Sequence, residues 1–436
     1  MIQFYCIKVV KLPEILKGDE MIIRRDLYLN KLIKKQHNGQ VKIITGMRRT
    51  GKSYLLFNLF HQFLTENQID ESHIIEIPLD DRLYKELRDP DKLLYEIRSR
   101  MTDNQIYYII LDEIQMVAEF EDVLNSLLHI KNADIYVSGS NSKFLSKDII
   151  TEFRGRGDEI RVHPLSFKEF ISVFQGTKEE AWNDYYTYGG LPLTLYYESH
   201  EDKSNYLINQ FKKVYISDIV ERNNIRNTDE LEELINILSS NIGSLTNPKK
   251  LSDTFSSVKG TKLSQATIKA YLDYLEDSFL INKSLRYDVK GKKYISTPSK
   301  YYFTDLGLRN GRLNFRQQEE NHIMENIIYN ELLSRGFNVD VGVVEVRELK
   351  DGHSLRKQLE IDFIATNGNK KYYIQSAFDM RQEAKKVQEK RSLRIVPDSF
   401  KKIIVVRDDI KIKRDDDGIV TMSIFDFLLD DLSLDY

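Results

Sequence analysis

The sequence predicts an α/β protein built on a parallel sheet, and three observations carry that prediction. Val41–Thr45 is a short, largely β-branched run that reads as a buried strand. It runs into the glycine-containing octet Gly46–Ser53 and then into an apolar-periodic helix through Tyr54, Leu55, Leu56, Leu59 and Phe60. A second buried run, Tyr107–Leu111, ends in Asp112 and Glu113. Strand-like and helical stretches alternate around both, which requires a parallel sheet with helices on its two faces. A site in such a sheet lies at the carboxyl ends of the strands.

The octet reads Gly46-Met47-Arg48-Arg49-Thr50-Gly51-Lys52-Ser53 and satisfies G-x-x-x-x-G-K-[ST] in every fixed position. Gly46 and Gly51 let the backbone turn its N–H groups inward toward phosphate oxygens, and the following helix adds its positive end. Lys52 reaches the β- and γ-phosphates and the Ser53 hydroxyl ligates Mg²⁺. Gly46, Arg48, Arg49, Thr50, Gly51, Lys52 and Ser53 are thus the expected contacts of ATP. Asp112, at the exit of the second buried strand, is the expected partner of Ser53 at the metal. Glu113 is the expected catalytic carboxylate that polarises the attacking water. The competing reading of Asp112-Glu113 is an acidic pair capping a helix.

The chain has 436 residues, enough for several domains, with 41% hydrophobic and 30% charged residues, so it is globular rather than disordered. A net charge of −3 gives no global nucleic-acid signature, so any DNA contact rests on a local patch. The one cysteine, Cys6, excludes a disulfide framework and a cysteine zinc site and fits a reducing cytoplasm. No run approaches a membrane span.

Residues 1–20 differ from the rest: MIQFYCIKVV is apolar but too short and weakly organised for a signal peptide. Lys17-Gly18-Asp19-Glu20 can be encoded by a purine-rich ribosome-binding sequence just before Met21. Residues 1–20 are therefore either translated leader or a genuine N-terminal arm. Met21 opens an amphipathic helix. After the octet's helix come a strand at His73–Pro78 and a helix at Asp89–Met101, with Asp89 as N-cap and Pro90 at the first turn. A helix at Glu119–Lys131 and a strand at Asp134–Val137 follow, the latter running into Ser138-Gly139-Ser140-Asn141. Ser140 is the expected γ-phosphate sensor, against a serine-rich turn capping the next helix. Arg154 and Arg156, flanking Gly155, suit charge stabilisation of a transferring phosphoryl group, in cis or across a subunit boundary. Solvated surface arginines are the alternative.

A helical stretch from Lys168 reads as a lid and reaches the turn Gly189-Gly190-Leu191-Pro192, whose Gly190 and Pro192 are further expected nucleotide contacts. Between Asp229 and Arg286 a helix at Lys249–Ser257, a helix from Leu263 with Ser264 as N-cap, and a strand pair make a winged helix-turn-helix pattern. Lys262, Gln265, Thr267 and Lys269 then face a DNA major groove; the alternative is a protein-contact module. The tail holds a helix Asn321–Arg335 carrying Glu325, and strand-like segments at Val339–Arg347, Gln358–Thr366, Lys371–Ala377 and Ile403–Arg407.

GMRRTGKS, LDEIQ, SGSNS, RGR with HPLSFKEF, GGLP, TIKAYLDYLEDSFLI, KYYFTDLGL and LEIDF together resemble the prokaryotic AAA-type ATPases that carry a C-terminal domain of unknown function, DUF4143. The resemblance covers nearly everything after Met21. It implies ATP binding and hydrolysis, a P-loop NTPase parallel sheet with a helical lid, a winged-helix segment, and a C-terminal α/β domain like the restriction endonucleases. The expected division is 1–20, an ATPase core at 21–165, the lid at 166–228, the winged helix at 229–310 and the tail at 311–436. The tail departs from the nuclease pattern: Glu325 and Asp362 fit, but Gln375 and Ala377 stand where Glu and Lys are required. It is therefore expected not to cleave, keeping a docking face that includes Lys385, Lys386, Lys390, Arg391 and Arg394. The expected function is an ATP-driven switch with ATP, Mg²⁺, DNA and further copies of the chain as partners. An ATP-regulated nuclease and a non-hydrolysing adaptor are the alternatives.

Overall fold

In the computed structural model, residues 21–140, 155–260, 262–317, 319–350, 353–380 and 383–436 are described. The first sheet holds β1 (Val41–Thr45), β2 (Ile74–Pro78), β3 (Tyr107–Asp112), β4 (Ala133–Ser138) and β5 (Gly157–Arg161), all parallel, in the order β2-β3-β4-β1-β5. β1 and β3 are buried along their whole length, as strands covered by helices on both faces must be. The strand order separates the two and sets β4 between them. The octet and Asp112 leave the carboxyl ends of β1 and β3, on the same edge of the sheet and one strand apart.

The helix after the octet runs without a break through Lys52–Tyr54, Leu55–Phe60 and His61–Glu66. Its Leu55, Leu56, Leu59 and Phe60 pack with Ile44, Tyr108, Ile110 and Tyr136 of the sheet. On the other face Val123, Leu124 and Leu127 of helix Phe120–Leu128 close the core. Asp89 caps Pro90–Arg100 through its side chain on Lys92 N at 3.0 Å, as its position before a proline predicts.

A helical region follows. Phe167–Ile171 and Lys178–Tyr188 each begin with a reciprocal capping box, Ser166 with Glu169 and Thr177 with Glu180. His200–Gln210, Phe211–Ile216 and Ser217–Arg222 run end to end, followed by Thr228–Ser240, Pro248–Lys259 and Gln265–Asp277. Ser264 accepts from Thr267 N at 3.0 Å and starts the last of these.

The second sheet is mixed and has eight strands: β6 (Ile281–Asp288), β7 (Lys293–Phe303), β8 (Asn338–Lys350), β9 (His353–Asn367), β10 (Lys370–Ala377), β11 (Lys401–Val406), β12 (Lys413–Arg414) and β13 (Val420–Ser423). Their order is β12-β13-β11-β10-β9-β8-β6-β7. The strand pair that follows Gln265–Asp277 is thus no free wing: β6 runs parallel to β8, Arg286 opposite Val341. A lone hairpin is marginal in water, so the pair is absorbed by the larger sheet, which crosses the expected boundary at 310.

One joint ties these parts together. The turn at Gly189-Gly190 lies against Asp305, at the start of the short helix Leu306–Arg312. Gly190 N donates to Asp305 Oδ2 at 2.8 Å, Leu308 N donates to Oδ1 at 2.9 Å, and Gly190 O accepts from Leu165 N at 2.8 Å. There is no space for a side chain: a Cβ on Gly189 would meet Asp305 at 2.5 Å, and one on Gly307 would meet Tyr188 O at 1.9 Å. Asn310 donates to Tyr186 O and Thr187 O, and the fully buried Arg309 donates to Ser239 O at 2.8 Å. Asn326 and Asn330, on helix Glu320–Ser334, bond the backbone of Phe303 and Thr304.

Burial pushes the Asp305 carboxyl up from 3.8 to about 6, although the backbone N–H groups it accepts from pull it down. The folded state therefore holds this proton more tightly than the unfolded chain. Above about pH 6 the ionised group carries a constant cost with no pH dependence, and stability rises as the pH falls from about 6 toward 4. Asp305→Asn should melt lower at pH 7, because its amide faces an N–H donor, a loss of about 1–3 kcal/mol. It should also lose the gain of roughly 1 kcal/mol that the wild type shows between pH 7 and pH 5 relative to the variant. Thermal melts of both proteins at the two pH values check this.

Candidate active site

The octet crosses from β1 to its helix through three left-handed residues: Gly46 at φ 134°, Arg49 at 66° and Gly51 at 89°. A Cβ on Gly46 would lie 2.2 Å from Val162 O, so that position admits glycine alone. Thr50 Oγ1 donates to Met47 O at 2.9 Å inside the loop. Lys52 is buried and folds back on the loop, with Nζ 3.0 Å from Gly46 O and 2.9 Å from Met47 O. Burial lowers its pKa, against the pull of Glu113 and Asp112.

Ser53 Oγ donates to Asp112 Oδ2 at 2.6 Å. The other carboxylate oxygen, Oδ1, accepts from Ser138 Oγ. Burial drives Asp112 up from 3.8 to about 6, with the two hydroxyls opposing it. Glu113 adopts a left-handed φ of 52°, which turns its chain out of the strand direction, and its N–H donates to Ser138 Oγ at 3.1 Å. Its Oε2 accepts from Gln115 Nε2 and from Ser140 Oγ, the latter at 3.3 Å. Ser140 also accepts from Arg48 Nε at 3.4 Å. At the end of β4, Ser138 thus bonds Asp112 and Ser140 bonds Glu113. Arg49 is exposed.

Two expectations change here. Arg154 lies outside the described residues. Arg156 O accepts from Val41 N, at the amino end of β1, whereas the octet leaves the carboxyl end. Four residues of strand put about 13 Å between those ends, so the Arg156 backbone lies at the far end of β1 from this chain's own loop. Gly190 has both backbone groups engaged in the joint with Asp305 and Leu165, so it is a packing point and not a nucleotide contact. Pro192 opens a short 3₁₀ turn, Pro192–Tyr196, beside the buried Leu191.

Three residues without a motif to announce them, Arg25, Tyr215 and Asp218, hold the loop. The buried Arg25 donates to Thr50 O at 2.8 Å and to His163 O at 2.7 Å, and pairs with Glu169 at 3.0 Å. Tyr215 OH donates to Arg48 O at 2.7 Å. Arg48 Nη2 lies 2.8 Å from Asp218 Oδ1. Met47 packs with Leu191, Phe211, Tyr215 and Leu308 in the helical region's core rather than in the ATPase core.

Residues 38–171 match the AAA domain family, and residues 179–319 match a domain of unknown function, DUF8612. A Haemophilus influenzae protein, described only as uncharacterised, is 32% identical over 94% of this chain and 99% of its own length. The chain belongs to this AAA-domain family. A Methanocaldococcus jannaschii relative is 30% identical over 84% of this chain and 79% of its own. Among solved structures, the ADP form of the Aeropyrum pernix ORC2 protein aligns at 12% identity over 72% of this chain and 97% of that one, with a TM-score of 0.34. DUF8612 on residues 179–319 replaces the DUF4143 assignment.

The tail of this AAA-domain protein brings Glu325 and Asp362 together, and a lysine joins them. Lys300 Nζ, from β7, is 2.8 Å from Glu325 Oε1, 2.7 Å from Glu360 Oε1 and 4.0 Å from Asp362 Oδ1. Tyr302 OH donates to Glu325 Oε1 at 2.6 Å, and Ser376 N donates to Asp362 Oδ2 at 2.8 Å. Burial works against the Lys300 charge, but the carboxylates outweigh it and raise its pKa. Burial and then Glu325 raise Asp362 well above its usual range. Among the described residues no group of three His, Cys, Asp or Glu side chains is placed to hold a metal. Of the expected docking cations, Lys390 pairs with Asp415 at 2.6 Å and Arg394 with Asp417 at 2.7 Å. Among the described residues no helix is long and apolar enough to cross a membrane.

Lys300→Met should destabilise the protein by about 3–5 kcal/mol, because three carboxylates would lose their common buried cation. Chemical denaturation with wild type and variant side by side measures it.

Proposed function

We propose that the chain is an ATP-hydrolysing switch whose turnover repositions the helical region and the tail. The observation that carries this is the 2.6 Å contact between Ser53 and Asp112, with Glu113 oriented next to it by Ser138, Ser140 and Gln115. The donor set suits Mg²⁺: a hydroxyl and a carboxylate are hard oxygen ligands. Ser53 and Asp112 would hold the ion, which when bound neutralises phosphate charge. Lys52 would leave the loop carbonyls for the β- and γ-phosphates. Glu113 would polarise water, a role for an ionised carboxylate. If Arg156 acts on a phosphoryl group, it does so on a second copy of the chain.

The exposed Lys262, Gln265 and Lys269, on the amino-terminal half of helix Gln265–Asp277 and just before it, support DNA as a further partner. The paired Lys390 and Arg394 speak against docking of nucleic acid on the tail. The nuclease alternative loses support, because Lys300 sits among the carboxylates that a metal would need.

Calorimetry and steady-state turnover test the reading together. Lys52→Ala should abolish Mg-ATP binding. Glu113→Gln should still bind, with turnover lowered about 10²-fold or more. Unchanged affinity in the first variant, or equal turnover in the second, removes the corresponding role.

A further inference from the structure

Asp218 sits on helix Ser217–Arg222 and is mostly enclosed, its side chain 16% exposed. One oxygen serves two arginines: Oδ1 lies 2.8 Å from Arg48 Nη2 and 3.0 Å from Arg222 Nε. Arg48 is the third residue of the octet. Its backbone is pinned, since Tyr215 OH donates to its carbonyl and the adjacent Met47 is set in the helical core. Its guanidinium is less constrained, with the side chain 37% exposed. That group lies between Asp218 and Ser140, which in turn donates to Glu113. A partly exposed cation of the loop is thus held by a carboxylate of the helical region, beside the carboxylate that would act on the terminal phosphate.

We propose that Asp218 is an internal anion competing with the terminal phosphate of a nucleoside triphosphate for Arg48. This rests on the ATPase reading above. When the phosphate takes Arg48, Asp218 keeps Arg222 and no buried charge is left alone. The enclosed carboxylate would otherwise be a poor stabilising device, because desolvation offsets the attraction in such pairs. A diphosphate brings no terminal group to compete, so the exchange reports which nucleotide is bound. It also unties the loop from helix Ser217–Arg222, giving the helical region a contact present in one nucleotide state and absent in the other. Asp218 is therefore a positioning residue: it acts through Arg48 and touches no substrate.

Calorimetry on the full chain with Mg-ATP and Mg-ADP tests this. Removing the competitor in Asp218→Asn should tighten ATP about 10-fold and leave ADP within about two-fold, in the range of typical site couplings. Asp218→Glu should restore the wild-type ratio of the two affinities. If Asp218→Asn shows no cooperative melt, Arg48→Ala takes its place and should weaken ATP several-fold more than ADP. A structural role alone moves both nucleotides equally. An ATP-to-ADP affinity ratio left unchanged by Asp218→Asn, where the wild type binds ATP, overturns this proposal and leaves the ATPase reading standing. A wild type with no affinity for either nucleotide overturns both.

Discussion

One buried carboxylate joins the turn after helix Lys178–Tyr188 to the segment that follows β7. Asp305 accepts from Gly190 on one side and caps its own short helix on the other. Every neighbour of that contact is a partner of something distant: Leu165 leads back to β5, Asn310 to the end of helix Lys178–Tyr188, Arg309 to Ser239, and Asn326 to the backbone of β7. A buried carboxylate is expensive unless satisfied. The surrounding backbone N–H groups satisfy it, and that requires glycine at the two closest approaches. GGLP and FTDLGL are thus two halves of one device, although 115 residues separate the bonded pair.

The phosphate-loop candidate sits at the meeting of three bodies rather than on the ATPase core alone. Arg25 holds Thr50 from the amino-terminal side, Tyr215 holds Arg48 from the helical side, and Met47 is buried among helical residues. A shift of the loop by a fraction of an ångström is felt by packed side chains that cannot deform continuously. The loop and the helical region thus share packed and hydrogen-bonded contacts.

Local chemistry made much of this readable in advance. The strand–octet–helix passage, the acidic strand end, the N-caps at Asp89 and Ser264, and four tail strands all rest on residues close in sequence. What escaped rests on distant pairing. β5 has one buried apolar residue, Ile160, and exists because β1 offers it a full ladder of partners. Arg156 looked placed for catalysis until that pairing set it at the wrong end of β1. Gly190 looked like a ligand contact, but its N–H is taken by Asp305, far along the chain, and the space beside it by Leu165. Lys300 has no motif: its meaning comes from β7 lying where helix Glu320–Ser334 and β9 bring their carboxylates.

The burial of Met47 bears on modularity. The two family matches, 38–171 and 179–319, suggest a chain that could be divided near residue 175 into independent pieces. The hydrophobic cores do not follow that division, since a residue from inside the nucleotide loop belongs to the core of the second piece. An isolated amino-terminal fragment would carry its loop with the supporting wall removed and an apolar side chain turned to solvent. The packing that supports the loop thus extends past residue 171, into the second matched segment.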